Sequence, residues 1–322
     1  MVKAIRFDKT GGTEVLEYKD IDLPAPGPGQ VRVKHTAIGV NFIDIYHRSG
    51  LYPLPLPSGL GSEAAGVVEA IDPGVSGFTP GDRVGYCGGA IGAYSEAANV
   101  PADKLVKLPA AISDEVAAAS MLKGMTAQYL LRRTHRVEKG ETVVIHAAAG
   151  GVGLIACQWA KHLGAHVIGT VGSEEKAALA KNHGCEHVLI LSEGWQKKVR
   201  DIAKDGVPVV YDSIGKDTFE ASLDCLAPRG LMVSYGNSSG AVPPFPPGML
   251  AAKGSLFLTR PTLAHYTRNP KELQETADDL FGVIQSGAVK VVINQRFALK
   301  DATKAHDALA SRKTTGATVL KP

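Results

Sequence analysis

Val143-Val144-Ile145-His146-Ala147-Ala148-Ala149-Gly150-Gly151-Val152-Gly153 is the stretch on which the fold turns. A β-branched apolar run ends in a glycine turn, and the turn opens a helix-forming segment that continues to Leu163. Glycine at 150 lets backbone approach a pyrophosphate, and glycine at 153 lets the helix pack closely on the strand. The unpaired N–H groups of a helix start, at the positive end of its dipole, hold phosphate oxygens. Ala148 stands where the common pattern has its first glycine. Ala149, Gly150, Gly151, Val152 and Gly153 are thus the expected phosphate-binding turn. An ordinary strand-to-helix connection is the plainer alternative. A second strand at the right distance, His166–Val171, decides for a nucleotide.

The end of that second strand discriminates between dinucleotides. A carboxylate about 20 residues beyond the glycines takes the ribose 2′-hydroxyl of NAD. Here the segment reads Thr170-Val171-Gly172-Ser173, followed by Glu174, Glu175 and Lys176. Ser173 offers a hydrogen bond and Lys176 a compact positive charge for a 2′-phosphate. Glu174 and Glu175, in the first turn of the next helix, are expected to face solvent. NADPH is therefore the expected cofactor.

Outward from this point, strands alternate with helices of about ten residues: strand 142–146, helix 152–163, strand 166–171, helix 174–182, strand 188–191, helix 195–203, strand 208–211, helix 218–226 and strand 231–235. Such alternation builds a parallel sheet. Before it, short β-like runs are separated by turns such as Pro24-Ala25-Pro26-Gly27-Pro28-Gly29 and Thr79-Pro80-Gly81-Asp82, which stop helices. A helix opens at Ser113-Asp114-Glu115 and a second is expected from about Met121 to Arg133. After Val242–Gly248 comes a mixed tail: an apolar strand at 255–259, a helix at 272–285, a strand at 291–297, a helix at 301–310 and a strand at 317–320. The expected domains are residues 1–120 with 255–322, β-rich and discontinuous, and an inserted nucleotide-binding unit at 121–254. The fold class is α/β, a doubly wound parallel sheet inserted in a β-rich catalytic domain.

Composition excludes several classes of function. With 35 basic against 32 acidic residues and a formal charge of +3, neither nucleic acid nor an anionic membrane is an expected partner. No stretch approaches the roughly 18 apolar residues of a membrane span. The opening Met1–Asp8 has no basic segment followed by an apolar run, as a secretory leader would. Cys87, Cys157, Cys185 and Cys225 are scattered, with no C-x-x-C pair, and read as reduced thiols. A cytoplasmic protein is expected. The apolar strand at 255–259 would suit sheet-to-sheet pairing in a homodimer.

Several motifs outside the glycine turn carry a family resemblance: Ala37-Ile38-Gly39-Val40-Asn41-Phe42-Ile43-Asp44-Ile45-Tyr46, Gly59-Leu60-Gly61-Ser62-Glu63-Ala64-Ala65-Gly66-Val67-Val68, Gly81-Asp82-Arg83-Val84 and Leu122-Lys123-Gly124-Met125-Thr126-Ala127. With the glycine turn they span the chain from end to end. The whole resembles the medium-chain dehydrogenase/reductases, and within them the zinc-independent, zeta-crystallin-like quinone oxidoreductases. That resemblance implies a GroES-like catalytic domain around a Rossmann domain. Zinc members of the superfamily carry a cysteine in the first motif, a Gly-His-Glu in the second and a cluster of four cysteines. Here Gly39-Val40-Asn41 and Ser62 stand in those motifs and no cysteine cluster exists, so no metal is expected.

The resemblance also implies site residues. Asn41, Asp44 and Tyr46 would line the nicotinamide pocket, and Tyr52, in the loop Leu51–Pro55, would close its outer side. Lys123 and Thr126 would touch the cofactor at the head of the inserted unit. Asn237 and Ser238 would meet the nicotinamide beyond the fifth strand, and Arg312 is the candidate basic contact near the C-terminus. Asn41, Tyr46 and Tyr52 are the candidates for work on the substrate. Each residue has a structural reading as well: a helix cap for Asn41 and Asp44, core aromatics for the tyrosines, a helix surface for Lys123 and Thr126. The implied activity is reduction of a quinone by NADPH. The alternatives are reduction of enone or enoyl double bonds with the same cofactor, and an NADPH-binding structural or regulatory protein with little turnover.

Overall fold

In the computed structural model, residues 1–89 and 91–322 are described. The N-terminal segment forms β1 (Val2–Phe7), β2 (Glu17–Ile21), β3 (Gln30–Val40), the short helix α1 (Phe42–Ser49), β4 (Ser58–Gly59), β5 (Glu63–Ile71), β6 (Arg83–Cys87), β7 (Ala97–Pro101) and β8 (Val106–Lys107). Helix α2 (Asp114–Tyr129) leads to β9 (Thr142–Ile145), α3 (Gly151–His162), β10 (His166–Val171), α4 (Glu174–Asn182), β11 (His187–Ile190), α5 (Trp195–Ile202), β12 (Val207–Asp212), α6 (Phe219–Leu223), β13 (Leu226–Ser234), α7 (Gly248–Ala252) and β14 (Phe257–Thr259). The chain ends with α8 (Pro270–Gln285), β15 (Ile293–Ala298), α9 (Ala302–Ala310) and β16 (Ala317–Lys321).

Two compact units result. One contains Met1–Met125, Thr267–Gln285 and Val291–Pro322; the other contains Thr126–Tyr266 and Ser286–Lys290. The second is built on a six-stranded sheet in the order β11-β10-β9-β12-β13-β14, parallel throughout. Chain direction across this sheet reverses at β9, which pairs with β10 on one side and β12 on the other. Val144, Ile168, Val210 and Met232, one from each central strand, are fully buried among its core residues. The first unit has a seven-stranded sheet, with β15-β16-β3-β5-β6-β8 in line and β7 also on β3, and a three-stranded sheet, β2-β1-β4. Its core gathers residues as distant in sequence as Ile5, Val33, Tyr94 and Leu320.

The tail rejoins the β-rich unit where β16 pairs antiparallel with β3, Val319 opposite Gly39. The expected boundary at 255 is corrected by β14. This strand pairs parallel with β13, Leu258 opposite Met232, so residues 257–259 extend the parallel sheet. The two helices expected between 113 and 133 are one, α2, with a π-helical turn at Leu130–Thr134. Gly124, which breaks the helical pattern in sequence, is required by packing: a Cβ there would lie 2.3 Å from a Leu280 methyl of α8. The helix expected over 218–226 stops at Leu223, and β13 begins earlier than expected, at Leu226.

Candidate active site

The glycine turn is shaped by contacts that its residue types alone permit. Ala147 adopts a left-handed φ of 51°, an uncommon conformation for a residue with a Cβ. A Cβ on Gly153 would lie 2.2 Å from the Ala147 carbonyl oxygen, so only glycine lets α3 start this close to β9. Ala148 is tolerated in place of the usual glycine because its methyl faces Gly169 of β10, where an added Cβ would come within 2.8 Å of it. Gly150 caps α3 and has no side chain with which to satisfy the first-turn N–H groups. Those donors are left to a ligand or water. Below the turn, fully buried His146 bonds Thr170 Oγ1 at 2.6 Å and Ser222 Oγ at 2.8 Å, tying β9 to β10 and α6.

Beyond β10, Ser173 caps α4, its Oγ accepting from the Lys176 N–H at 3.4 Å. Glu174 and Glu175 are exposed, as expected, and Lys176 is half-buried. At the carboxyl ends of β12 and β13, two loops are fastened together. Asp212 accepts from the Ile214 and Gly215 N–H groups and from Thr218 Oγ1. The Ser238 and Ser239 N–H groups donate to the Ser213 and Ile214 carbonyls. Arg260 clamps the same bend, its Nη1 donating to the carbonyls of Ser234 and Gly236. Asn237 and Ser238 thus occupy a held loop at the carboxyl edge, next to the reversal at β9, where open α/β sheets bind ligands. Thr126, 9% exposed, hydrogen-bonds Tyr129, whose ring stacks on Tyr266 at 4.5 Å.

In the β-rich unit, Asn41 ends β3 and caps α1. Its Nδ2 donates to Glu63 Oε2 at 2.8 Å, and Lys123 Nζ donates to the same oxygen at 3.2 Å. The other Glu63 oxygen accepts the Leu122 N–H at 2.7 Å. Gly39 is obligatory here, because a Cβ would lie 2.1 Å from the Glu63 carboxylate. Tyr46 packs edge-on against Tyr52, ring centres 5.1 Å apart, and the Tyr52 N–H donates to the Tyr46 carbonyl. Arg312 is exposed just past α9.

Two expectations change. Asp44 does not line a surface: it is fully buried, and its Oδ2 accepts from the Asn41 N–H at 2.8 Å and the Tyr94 hydroxyl at 2.9 Å. Burial raises its pKa to about 7, despite these donors. Lys123 is not a helix-surface residue but an almost buried ammonium held by Glu63. Glu63, Tyr94 and His306 were missed as members of this cluster. The available signals were a carboxylate opening the small, apolar run Glu63–Val68, and a histidine on the Ala302–Ala305–His306 buried face of α9.

The donor set does not suit zinc. Asn41 and Ser62 contribute a neutral amide and a hydroxyl, while Glu63 is occupied by an ammonium, an amide and a backbone N–H. Burial pushes the Cys87 thiol well above its ordinary pKa. Among the described residues no three His, Cys, Asp or Glu side chains form a metal-holding group.

Residues 27–110 match the alcohol dehydrogenase GroES-like domain, and residues 151–282 match the zinc-binding dehydrogenase domain. The chain is 57% identical to a quinone oxidoreductase of Pseudomonas aeruginosa, over all of both chains. It is 48% identical to a 2-haloacrylate reductase of a Burkholderia species, over 100% of this chain and 99% of the relative. The crystal structure of Escherichia coli quinone oxidoreductase complexed with NADPH superposes with a TM-score of 0.98 at 51% identity, covering 99% of this chain and 100% of that one. From end to end, in both units and at the glycine turn, the chain belongs to the quinone oxidoreductase family of the medium-chain dehydrogenase/reductases.

Proposed function

We propose that this chain is an NADPH-dependent quinone reductase that works without zinc. The observation that carries this reading is the Asn41–Glu63–Lys123 cluster. It offers hydrogen-bond donors beside a buried ion pair and no donor set for a Lewis-acid metal, so it suits an acceptor that is already electron-poor. The chemistry the bound dinucleotide supplies is hydride donation to the quinone, whose hydroquinone anion water protonates.

The protein's part is to hold and orient. First-turn N–H groups of α3, with Ala149 to Gly153, receive the pyrophosphate. Ser173 and Lys176 receive the 2′-phosphate at a strand end without a carboxylate, and Arg312 adds charge. Asn237 and Ser238 meet the nicotinamide, and Thr126 and Lys123 each contact the cofactor. Asn41 and Tyr46 hydrogen-bond the acceptor, and Tyr52, packed edge-on on Tyr46, closes that side.

The haloacrylate-reducing relative favours a second reading, reduction of an electron-poor double bond. NADPH oxidation with a panel of quinones, enones and crotonyl thioesters separates the two, before and after prolonged chelation. Quinones are expected to be the best acceptors and chelation to leave the rate unchanged; a preference for enones or thioesters overturns the first reading. In the same assay Lys176→Ala should weaken NADPH about tenfold or more and barely affect NADH, as a charged hydrogen bond is worth about 1.5–3 kcal/mol. Equal losses for both cofactors would contradict the assigned 2′-phosphate site. The protein is read as a cytoplasmic homodimer: all four cysteines are free and buried, and an apolar edge strand stands exposed. No helix among the described residues is long and apolar enough to cross a membrane.

A further inference from the structure

A line of buried polar groups runs from the far end of α1 back to its N-cap, Asn41. Arg48 Nη1 lies 3.1 Å from His306 Nδ1, His306 Nε2 lies 3.1 Å from the Tyr94 hydroxyl, and that hydroxyl lies 2.9 Å from Asp44 Oδ2. Asp44 Oδ2 in turn accepts the Asn41 N–H at 2.8 Å. A guanidinium only donates, so Nδ1 of His306 accepts and Nε2 carries the hydrogen of the neutral ring. Nε2–H then donates to the Tyr94 oxygen, which leaves the tyrosine O–H to donate to Asp44. From Arg48 to Asp44 every hydrogen bond therefore runs one way, and the Asn41 N–H donates to the same Asp44 oxygen from the other side. His306 is neutral because burial, and Arg48 beside it, hold its pKa down to about 3.

We propose that Tyr94 and His306 are positioning residues for Asn41, acting through Asp44. The proposal rests on the reading of Asn41 as a residue that orients the acceptor. Asp44, Tyr94 and His306 are all fully buried, and Asp44 Oδ1 has no partner among the described residues. Apolar side chains of similar volume would avoid that desolvation. What the polar line supplies is orientation. Arg48 and Asp44 lie on one face of α1, His306 on α9 and Tyr94 between β6 and β7, so three segments fix the rotation of α1 and the backbone of Asn41. A backbone amide does not release its proton, so the line ends there as a brace rather than as a proton path.

Asp44 is faced by Tyr94 from the β6–β7 link, by Lys123 from α2 and by Glu63 from β5, with His306 and Arg48 one step further along. Protonating Asp44 weakens its hold on the Asn41 N–H. Because Asp44 titrates near neutrality, kcat should fall on the acid side of pH 7.

The test uses the full-length enzyme with NADPH and a quinone. Tyr94→Phe and His306→Leu are expected to lower kcat about tenfold, with the NADPH dissociation constant, read by nicotinamide fluorescence, within about twofold of wild type. His306→Gln, which keeps a donor near the place of Nε2, should recover most of the rate. In an Asn41→Ala background neither substitution should cost anything further. Asn41→Ala with an unchanged rate removes the reading of Asn41 and the proposal with it. A slowed Asn41→Ala beside a wild-type rate in Tyr94→Phe and His306→Leu, or equal losses in both backgrounds, overturns the positioning role alone. If both variants unfold, the pH profile decides: Asp44→Asn should flatten the acid limb, and an unchanged limb overturns the proposal.

Discussion

At the scale of single residues, the site rests on carboxylates whose surroundings set opposite roles. Glu63 takes three donors and holds a buried ammonium; Asp44 takes two donors with one oxygen, and the other has no partner among the described residues. The Asp44 carboxyl titrates near its ordinary 3.8 in the unfolded chain and near 7 in the folded one. Between those values the folded state keeps a proton that the unfolded state has lost, so stability falls as pH rises through the window and stays low above it. Asp44→Asn removes this dependence while keeping an oxygen for Asn41 and Tyr94. Each tenfold preference for the protonated form is worth about 1.4 kcal/mol, and solvent relaxation trims the total. Relative to wild type, Asp44→Asn should gain about 1–3 kcal/mol between pH 5 and pH 8. Urea unfolding at the two pH values measures it, and a difference independent of pH would show that Asp44 is ionised throughout.

At the scale of elements, the strand–turn–helix of β9 and α3 is decided by which positions lack a Cβ. Gly153 meets the Ala147 carbonyl, and Ala148 meets the empty side of Gly169. Gly153→Ala forces the turn open, with an expected cost of about 1–3 kcal/mol in stability and at least tenfold weaker NADPH binding. Gly172, with open space around its Cα, is the control: Gly172→Ala should stay within about 0.5 kcal/mol of wild type. Thermal unfolding and NADPH titration of the two variants compare them directly, and equal behaviour would refute the steric account. The turn was legible in sequence because glycine spacing and an apolar strand are local features. Helix α2 was not, since the reason for Gly124 is Leu280, on a helix more than 140 residues further along the chain.

For the whole molecule, the proposed assembly rests on β14. It is the last strand of the parallel sheet, with Phe257 61% and Leu258 36% exposed. An exposed apolar edge of this kind is a template for pairing with a second copy. Phe257→Lys should convert the proposed dimer to a monomer in light scattering while each unit stays folded; an unchanged mass would overturn the assignment of this edge as its interface.

The β–α alternation, the glycine turn and the strand end without a carboxylate are legible in the chain alone. Each is a matter of residue type and short spacing, and short-range sterics and chemistry act on neighbours in the chain. Folding in three dimensions is what joins residues 257–259 to the parallel sheet, buries Asp44, and gathers Glu63, Lys123, Tyr94 and His306 into one cluster with Asn41. Asn41 and Glu63 are 22 residues apart, Glu63 and Lys123 are 60, Tyr94 and His306 are 212, and Arg48 and His306 are 258. No periodicity in the chain links such pairs. Asn41 and Glu63 meet because β3 pairs with β5, and the tail that carries His306 returns where β16 pairs with β3; most polar groups so buried find partners, because leaving one without costs free energy.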